Sequence, residues 1–188
     1  LIDLVSFYAY TILYVILVLG LIILIQEKLQ KKLQEQANTD PLTKLQNRRA
    51  FYDTAAKIVA YASRKNTYTT VAAFDLDFFK NINDKFGHDV GDLALKHFSV
   101  IASNEVRLQD SIARFGGEEF TIIFPDTTAS EALKVTERIR YNLETLPLVD
   151  INDNKICMTV SVGLSSGKNL SDIDSLIKNA DNALYMAK

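Results

Sequence analysis

Residues 111–124, Ser-Ile-Ala-Arg-Phe-Gly-Gly-Glu-Glu-Phe-Thr-Ile-Ile-Phe, decide the fold. Ser111 to Phe115 and Glu118 to Phe124 read as two strands, with Gly116-Gly117 between them as a two-residue hairpin signal. Paired glycines allow a tight reversal and a close approach of backbone to a phosphate. Glu118 and Glu119 follow directly, and alternation along a strand puts one carboxylate on each face. Upstream, Tyr68 to Leu76 (Tyr-Thr-Thr-Val-Ala-Ala-Phe-Asp-Leu) reads as a buried strand with Asp75 at its end. A carboxylate is costly in a dry core, but at a strand terminus it is free to hold a metal. If the two strands are sheet neighbours, Asp75 and Glu118 converge on the same cations. Phosphoryl-transfer chemistry uses such carboxylate-held cations to bridge phosphate oxygens. Asp77, two residues on, reads better as a turn or helix-capping Asp.

Working outward, strands and helices alternate. Asn47 to Ala62 carries helical spacing, and Val90 to Val106 is helical, with Leu93, Leu95, His97, Phe98 and Ile101 mixing core and edge positions. Thr128 with Glu131 forms a capping box that opens a helix through Leu143. Ile156 to Leu164 reads as another strand, and Ser171 with Asp174 caps a final helix through Ala187. Thr39-Asp40-Pro41 reads as a stop and restart, since Pro is tolerated in the first turn of a new helix. The order is helix, then β-α-β-β-α-β-α. It predicts an α+β fold with a central antiparallel sheet, the palm-like, ferredoxin-like core of polymerases and nucleotide cyclases.

The N-terminal end is different in kind. From Leu4 to Ile25 there is no charged residue, and a 22-residue helix is about 33 Å long, enough to span a bilayer core. A signal peptide would open on basic residues and carry a shorter apolar core, whereas Asp3 precedes this one. A core helix of this length would show a polar face. Residues 1–25 are therefore expected to be a single transmembrane helix. Lys28, Lys31 and Lys32 flank its far end, which places everything after it in the cytoplasm. Residues 26–38 are rich in Gln and Lys without Pro or Gly, and Ile25, Leu29 and Leu33 recur every four positions. They read as a continuation of the helix, either a short coiled-coil linker or a plain solvated one. Residues 39–188 would form the catalytic domain. The first residue is Leu1 rather than Met, so an upstream sensor region is expected.

Charge and composition exclude several classes. The chain is 48% hydrophobic and 23% charged, with a net charge of -2. Residues 39–188 keep 18 basic and 20 acidic side chains, without the basic excess of a nucleic-acid binder. His88 and His97 have no Cys or His partner at ligand spacing, so no zinc site is indicated. No Ser-His-Asp arrangement and no GxxxxGK[ST] loop is visible. The single Cys157 fits a reducing compartment.

Gly116-Gly117-Glu118-Glu119-Phe120 is the GGEEF form of a signature, and residues 38–188 resemble the GGDEF diguanylate cyclases. The resemblance includes Asp40-Pro41-Leu42-Thr43 through Asn47-Arg48-Arg49, and Asp75-Leu76-Asp77-Phe78-Phe79-Lys80. It continues in Asn83 through Gly91-Asp92, Val160-Ser161-Val162-Gly163, and Asp181 through Ala187-Lys188. It implies an enzyme that joins two GTP molecules into cyclic di-GMP, as a homodimer, at the cytoplasmic face of the inner membrane. It implies that Asp75 and Glu118 bind Mg²⁺, or Mn²⁺ in its place, with the Leu76 carbonyl as a further ligand. Glu119 would be a metal ligand or the base that deprotonates the attacking 3′-hydroxyl. Asn83 and Asp92 would hydrogen-bond guanine, whose paired N–H donors suit an Asp acceptor. Phe78, Phe79, Lys80 and Lys188 would lie along the phosphates, with Gly116 and Gly117 bending the backbone around the nucleotide. Arg107-Leu108-Gln109-Asp110 matches the family's RxxD motif, which implies product inhibition at Arg107 and Asp110; read alone, the pair is an exposed ion pair at a helix end. The family continues past the Ala-Lys pair into a segment with a phosphate-binding Arg, where this sequence stops.

Overall fold

A computed structural model of the chain describes residues 2–151, 153–168 and 172–188, with backbone only for residues 2, 5 and 31–37. The chain divides into two compact units, Leu1–Asn38 and Thr39–Lys188. The first is one helix, α1 (Ile2–Asn38), which runs through position 25 without a break. Its segment Ser6–Gln30 is long and apolar enough to cross a membrane, with a mean hydropathy of 2.6. The side chains of Lys31, Lys32 and Leu33 lie outside the described residues.

The second unit runs β1 (Gln46–Asn47), α2 (Arg48–Lys65), β2 (Tyr68–Leu76), α3 (Phe79–Phe86), α4 (His88–Glu105), β3 (Ser111–Gly116) and β4 (Glu119–Pro125). It continues through α5 (Ala129–Thr145), β5 (Leu148–Val149), β6 (Lys155–Ile156), β7 (Val160–Lys168) and α6 (Asp174–Ala187). The main sheet has the order β1-β3-β4-β2-β7, and β5 pairs with β6 apart from it. Strand β2 is antiparallel to both β4 and β7, β3 is antiparallel to β4, and the short β1 is parallel to β3. This is the palm-like α+β architecture expected, built on a central antiparallel sheet.

Alternation along the strands feeds two cores, one on each face. Phe74, Leu76, Phe120 and Phe124 point into the core that Phe98 of α4 and Ile139 of α5 complete. Val71, Ala73, Ala113 and Ile123 point the other way, into the core of Phe51 on α2 and Ile177 and Leu184 on α6. Two helix starts follow from local chemistry. The Asn47 side chain accepts the Ala50 N–H at 3.0 Å, and Thr128 and Glu131 form the expected capping box.

Four expectations are corrected. Pro41 opens a turn rather than a helix: Lys44 adopts φ 62°, Thr39 bridges to Gln46, and helix α2 begins at Arg48. The single helix expected from Val90 is preceded by the separate helix α3, because Gly87 at φ 87° breaks the path between them. The strand expected at Ile156 to Leu164 starts at Val160 and runs on to Lys168 along β2. The final helix has Ile173 at its N-cap, and Asp172 accepts the Ser175 N–H at 3.2 Å; Ser171, expected as the cap, lies outside the described residues.

Candidate functional site

The end of β2 is where the acidic residues gather. Asp75 is only 8% exposed, and its direct partners across the ladder are Glu119 of β4 and Ser161 of β7. Directly opposed residues of an antiparallel pair share a face, so Asp75 and Glu119 stand side by side. The next residue, Leu76, donates its N–H to the Glu118 carbonyl at 3.4 Å. Asp75 finds its cation in Lys188 of the α6 end, whose Nζ lies 2.8 Å from Oδ2. These two line an open pocket of about 360 Å³ with Asp77, Phe78, Ser161 and Ala187. Among the described residues, no three His, Cys, Asp or Glu side chains already enclose a cation site.

The hairpin is offset from the one expected. Gly116 pairs with Glu119, so the two-residue turn is Gly117-Glu118, with Gly117 at φ 44°, a conformation that favours glycine. An irregularity in the ladder between Arg114 and Gly116 causes the shift. Glu118 therefore sits in the turn and Glu119 opens the strand, instead of the two alternating along it. Arg114 stitches this turn in place. Its Nε and Nη2 donate to the Gly117 carbonyl at 3.0 and 2.7 Å, and Nη1 reaches both Asp40 oxygens at 3.3 Å. Asp40 also accepts the Thr43 N–H and hydroxyl at 2.8 and 2.7 Å. Burial pushes the Asp40 carboxyl up, but these hydrogen bonds and the Arg114 charge outweigh it and hold it below the ordinary value.

Asp77 behaves as a turn residue with a long reach. Its carboxylate accepts the Thr159 and Ser161 hydroxyls, both at 2.7 Å, tying the β2–α3 turn to the start of β7. Phe78 follows in the left-handed region at φ 54°, with its ring 78% exposed. Lys80 is exposed, whereas the Phe79 ring belongs to the core, so only its backbone can face a ligand. Asn83 lies on α3, and a Cβ added at Gly91 of α4 would overlap its Oδ1. Gly91 thus seats the Asn83 side chain, and Asp92 is the next residue of α4.

Arg107 and Asp110 lie at the other end of β3 from the hairpin turn, about 20 Å away along a six-residue strand. Their contact is a closed turn rather than an ion pair of side chains. The Arg107 N–H donates to Asp110 Oδ2 at 2.7 Å, and the Asp110 N–H to the Arg107 carbonyl at 3.0 Å. Burial pushes the Asp110 carboxyl up, against the pull of that hydrogen bond and the Arg107 charge. Its Oδ1 is buried with no hydrogen-bond partner among the described residues.

Several residues in or beside the site stand in the quoted motifs, but a sequence read alone assigns them no role. Arg114 and Asp40 act through a contact between segments far apart in the chain, and Gly91 acts through the packing of α4 against Asn83 of α3. Arg48 lies over the Phe115 and Tyr52 rings at 5.4 and 5.9 Å. It lines a cleft of about 110 Å³ with Glu119 and Asp181. Burial raises the Asp181 carboxyl while the Arg48 charge opposes it.

Comparison with known proteins places the sequence and the fold. Residues 37–188 match the family model "Diguanylate cyclase, GGDEF domain". The response regulator PleD of Caulobacter vibrioides is 38% identical over 156 residues, 82% of this chain and 34% of PleD. Diguanylate cyclase DosC of Escherichia coli is 36% identical over 168 residues, 89% of this chain and 36% of DosC. The chain thus spans about a third of the length of these relatives. Among solved structures, the coiled coil and GGDEF domain of DgcB from Caulobacter crescentus, in complex with c-di-GMP, matches with a TM-score of 0.82 and 31% identity. That match covers 87% of this chain and 86% of DgcB's.

Proposed function

The chain belongs to the GGDEF domain family of diguanylate cyclases, and from that premise we propose that residues 39–188 condense two GTP into cyclic di-GMP, releasing two pyrophosphates. The observation that carries this reading is the pairing of Asp75 with Glu119 at the end of the central strands, beside the Gly117-Glu118 turn. Anionic oxygens grouped at a strand terminus are a donor set that suits a hard divalent cation. Asp75 is buried enough that its charge calls for a cationic partner. In this reading Asp75, Glu118 and the Leu76 carbonyl hold Mg²⁺ or Mn²⁺, and Glu119 is a further ligand or the base. When bound, such an ion offsets the charge that develops on the phosphate oxygens.

The protein's own groups do the rest. Asn83, seated by Gly91, and Asp92 pair with the guanine edge. The exposed Phe78 and Lys80, the Phe79 backbone and Lys188 flank the phosphates, and Gly116 and Gly117 leave the turn backbone open to the nucleotide. One domain holds one GTP, so two copies must face each other for each 3′-hydroxyl to attack the other's α-phosphate. Arg107 and Asp110 would bind product on the far end of β3. Helix α1 would anchor the chain in the inner membrane as a single pass, with residues 39–188 in the cytoplasm, and its residues 26–38 would relay the signal of an upstream sensor. Incubating the protein with GTP and Mg²⁺ and separating the products by chromatography tests the reading. Cyclic di-GMP with twice as much pyrophosphate is expected, and its loss by at least about a hundredfold in Glu118→Gln, since a charged ligand to a catalytic ion is removed. Undiminished turnover in that variant refutes the assignment.

A further inference from the structure

We propose that Lys188 is a place-holding counter-ion: it neutralises Asp75 until a divalent cation arrives, then passes to the nucleotide phosphates, so that metal and nucleotide bind together. The inference rests on the metal-site reading of Asp75 and extends it to the order of binding. Asp75 is nearly buried, and the Lys188 ammonium, 2.8 Å from Oδ2, is its ion-pair partner among the described residues. Of the two side chains, Asp75's is 11% exposed and Lys188's 45%. The lysine is therefore the member free to move, on a flexible stem that can keep its charge while changing partner.

The anchoring of α6 makes this pairing a designed reach. A Cβ at Gly163 of β7 would overlap the Ala180 carbonyl oxygen and the Leu184 nitrogen, so helix α6 lies directly against the strand there. The Lys188 N–H still bonds to the Leu184 carbonyl at 3.3 Å, which ties the lysine to this seated turn. From it the side chain spans the pocket shared with Asp77, Phe78 and Ser161.

An ammonium and a divalent cation cannot both lie against one carboxylate oxygen without strong repulsion. Metal alone must displace the lysine into solvent. Metal arriving with a triphosphate gives the displaced ammonium an anionic partner in the same pocket. Each ligand then raises the affinity for the other, and by linkage the two factors are equal.

The test uses Mn²⁺ binding, followed by electron paramagnetic resonance, with and without 3′-deoxy-GTP, which cannot cyclise. Wild type, Lys188→Met and Asp75→Asn are compared, each checked for fold by circular dichroism. Lys188→Met should bind Mn²⁺ alone at least about fivefold more tightly than wild type, and the enhancement by nucleotide should shrink by a similar factor. Equal Mn²⁺ affinity in wild type and Lys188→Met, with Asp75→Asn no longer binding, overturns the place-holder while leaving the metal site standing. Wild-type Mn²⁺ affinity in Asp75→Asn overturns the metal-site reading itself, and the proposal with it.

Discussion

The guanidinium of Arg114 donates to the Gly117 carbonyl through two nitrogens and to both oxygens of Asp40 through a third. Replacing it with Ala leaves a largely buried carboxylate without its cation and frees the turn that carries Glu118. Hydrogen bonds to charged groups contribute about 1.5–3 kcal/mol, so Arg114→Ala should lower unfolding free energy by about that amount in a urea titration. Turnover should fall more than about tenfold, since the turn is positioned by this residue. Asp40 adds a pH signature. Its folded-state carboxyl lies below the ordinary value, so its contribution is complete above that value, near pH 4. It is lost as pH falls through the lower, folded-state value. Melts of wild type and Asp40→Asn should differ by a constant amount from pH 7 to 5 and converge toward pH 3. A difference that grows on acidification contradicts the ion pair. Arg107 allows a separate expectation: Arg107→Ala should bind cyclic di-GMP more weakly by calorimetry and keep synthesising past the level at which wild type stalls. Equal product affinity in the two assigns Arg107 and Asp110 to the turn alone.

Two glycines distinguish seating a ligand group from seating a helix. At Gly91 the obstacle to a Cβ is the mobile end of Asn83. Gly91→Ala should therefore hold or raise the melting temperature, since Ala favours a helix, yet weaken GTP binding about tenfold by displacing Asn83. At Gly163 the obstacle is the backbone of α6. Gly163→Ala should cost about 1–3 kcal/mol, as overpacking does, and a thermal melt will show it. Unequal melting behaviour is the discriminating result; equal losses in both would mean that Asn83 is as rigid as the helix. The same elements explain what a sequence read alone reveals. Strands β2 and β4 are legible because their apolar and β-branched runs are buried on both faces, and β3 because the paired glycines mark its end. The sequence ends the expected strand at Leu164, four residues short of the end of β7, because Ser165-Ser166-Gly167 has turn composition. In the sheet that stretch is an edge, where half-exposed Ser and Gly are tolerated, and Ser166 repays its place by receiving the Thr70 hydroxyl at 2.8 Å. The sequence shows Asp75, Glu118 and Glu119 as motif residues with a role. Arg114 and Asp40 stand in the quoted motifs without one, because their meaning lies in a contact between the start of the domain and its hairpin.

At the scale of the whole molecule, the proposed chemistry needs two domains, and this sets a concentration dependence. Residues 39–188 form a compact unit, and as a soluble domain their specific activity should rise with protein concentration. The full chain in vesicles should show a much flatter dependence, because tethering raises the effective concentration of one copy near another. A specific activity independent of dilution for the soluble domain would remove dimerisation as the control point. The reach of Lys188 to Asp75 has one more consequence, for the chain as it is made. Domains are synthesised from the N-terminus, so β2, β3 and β4 can pair while α6 is still inside the ribosome. The nascent domain then holds a buried carboxylate whose counter-ion does not yet exist. Pocket and sheet mature at different moments, and a nascent chain stalled before α6 should resist proteolysis across β2–β4 while retaining no guanine nucleotide.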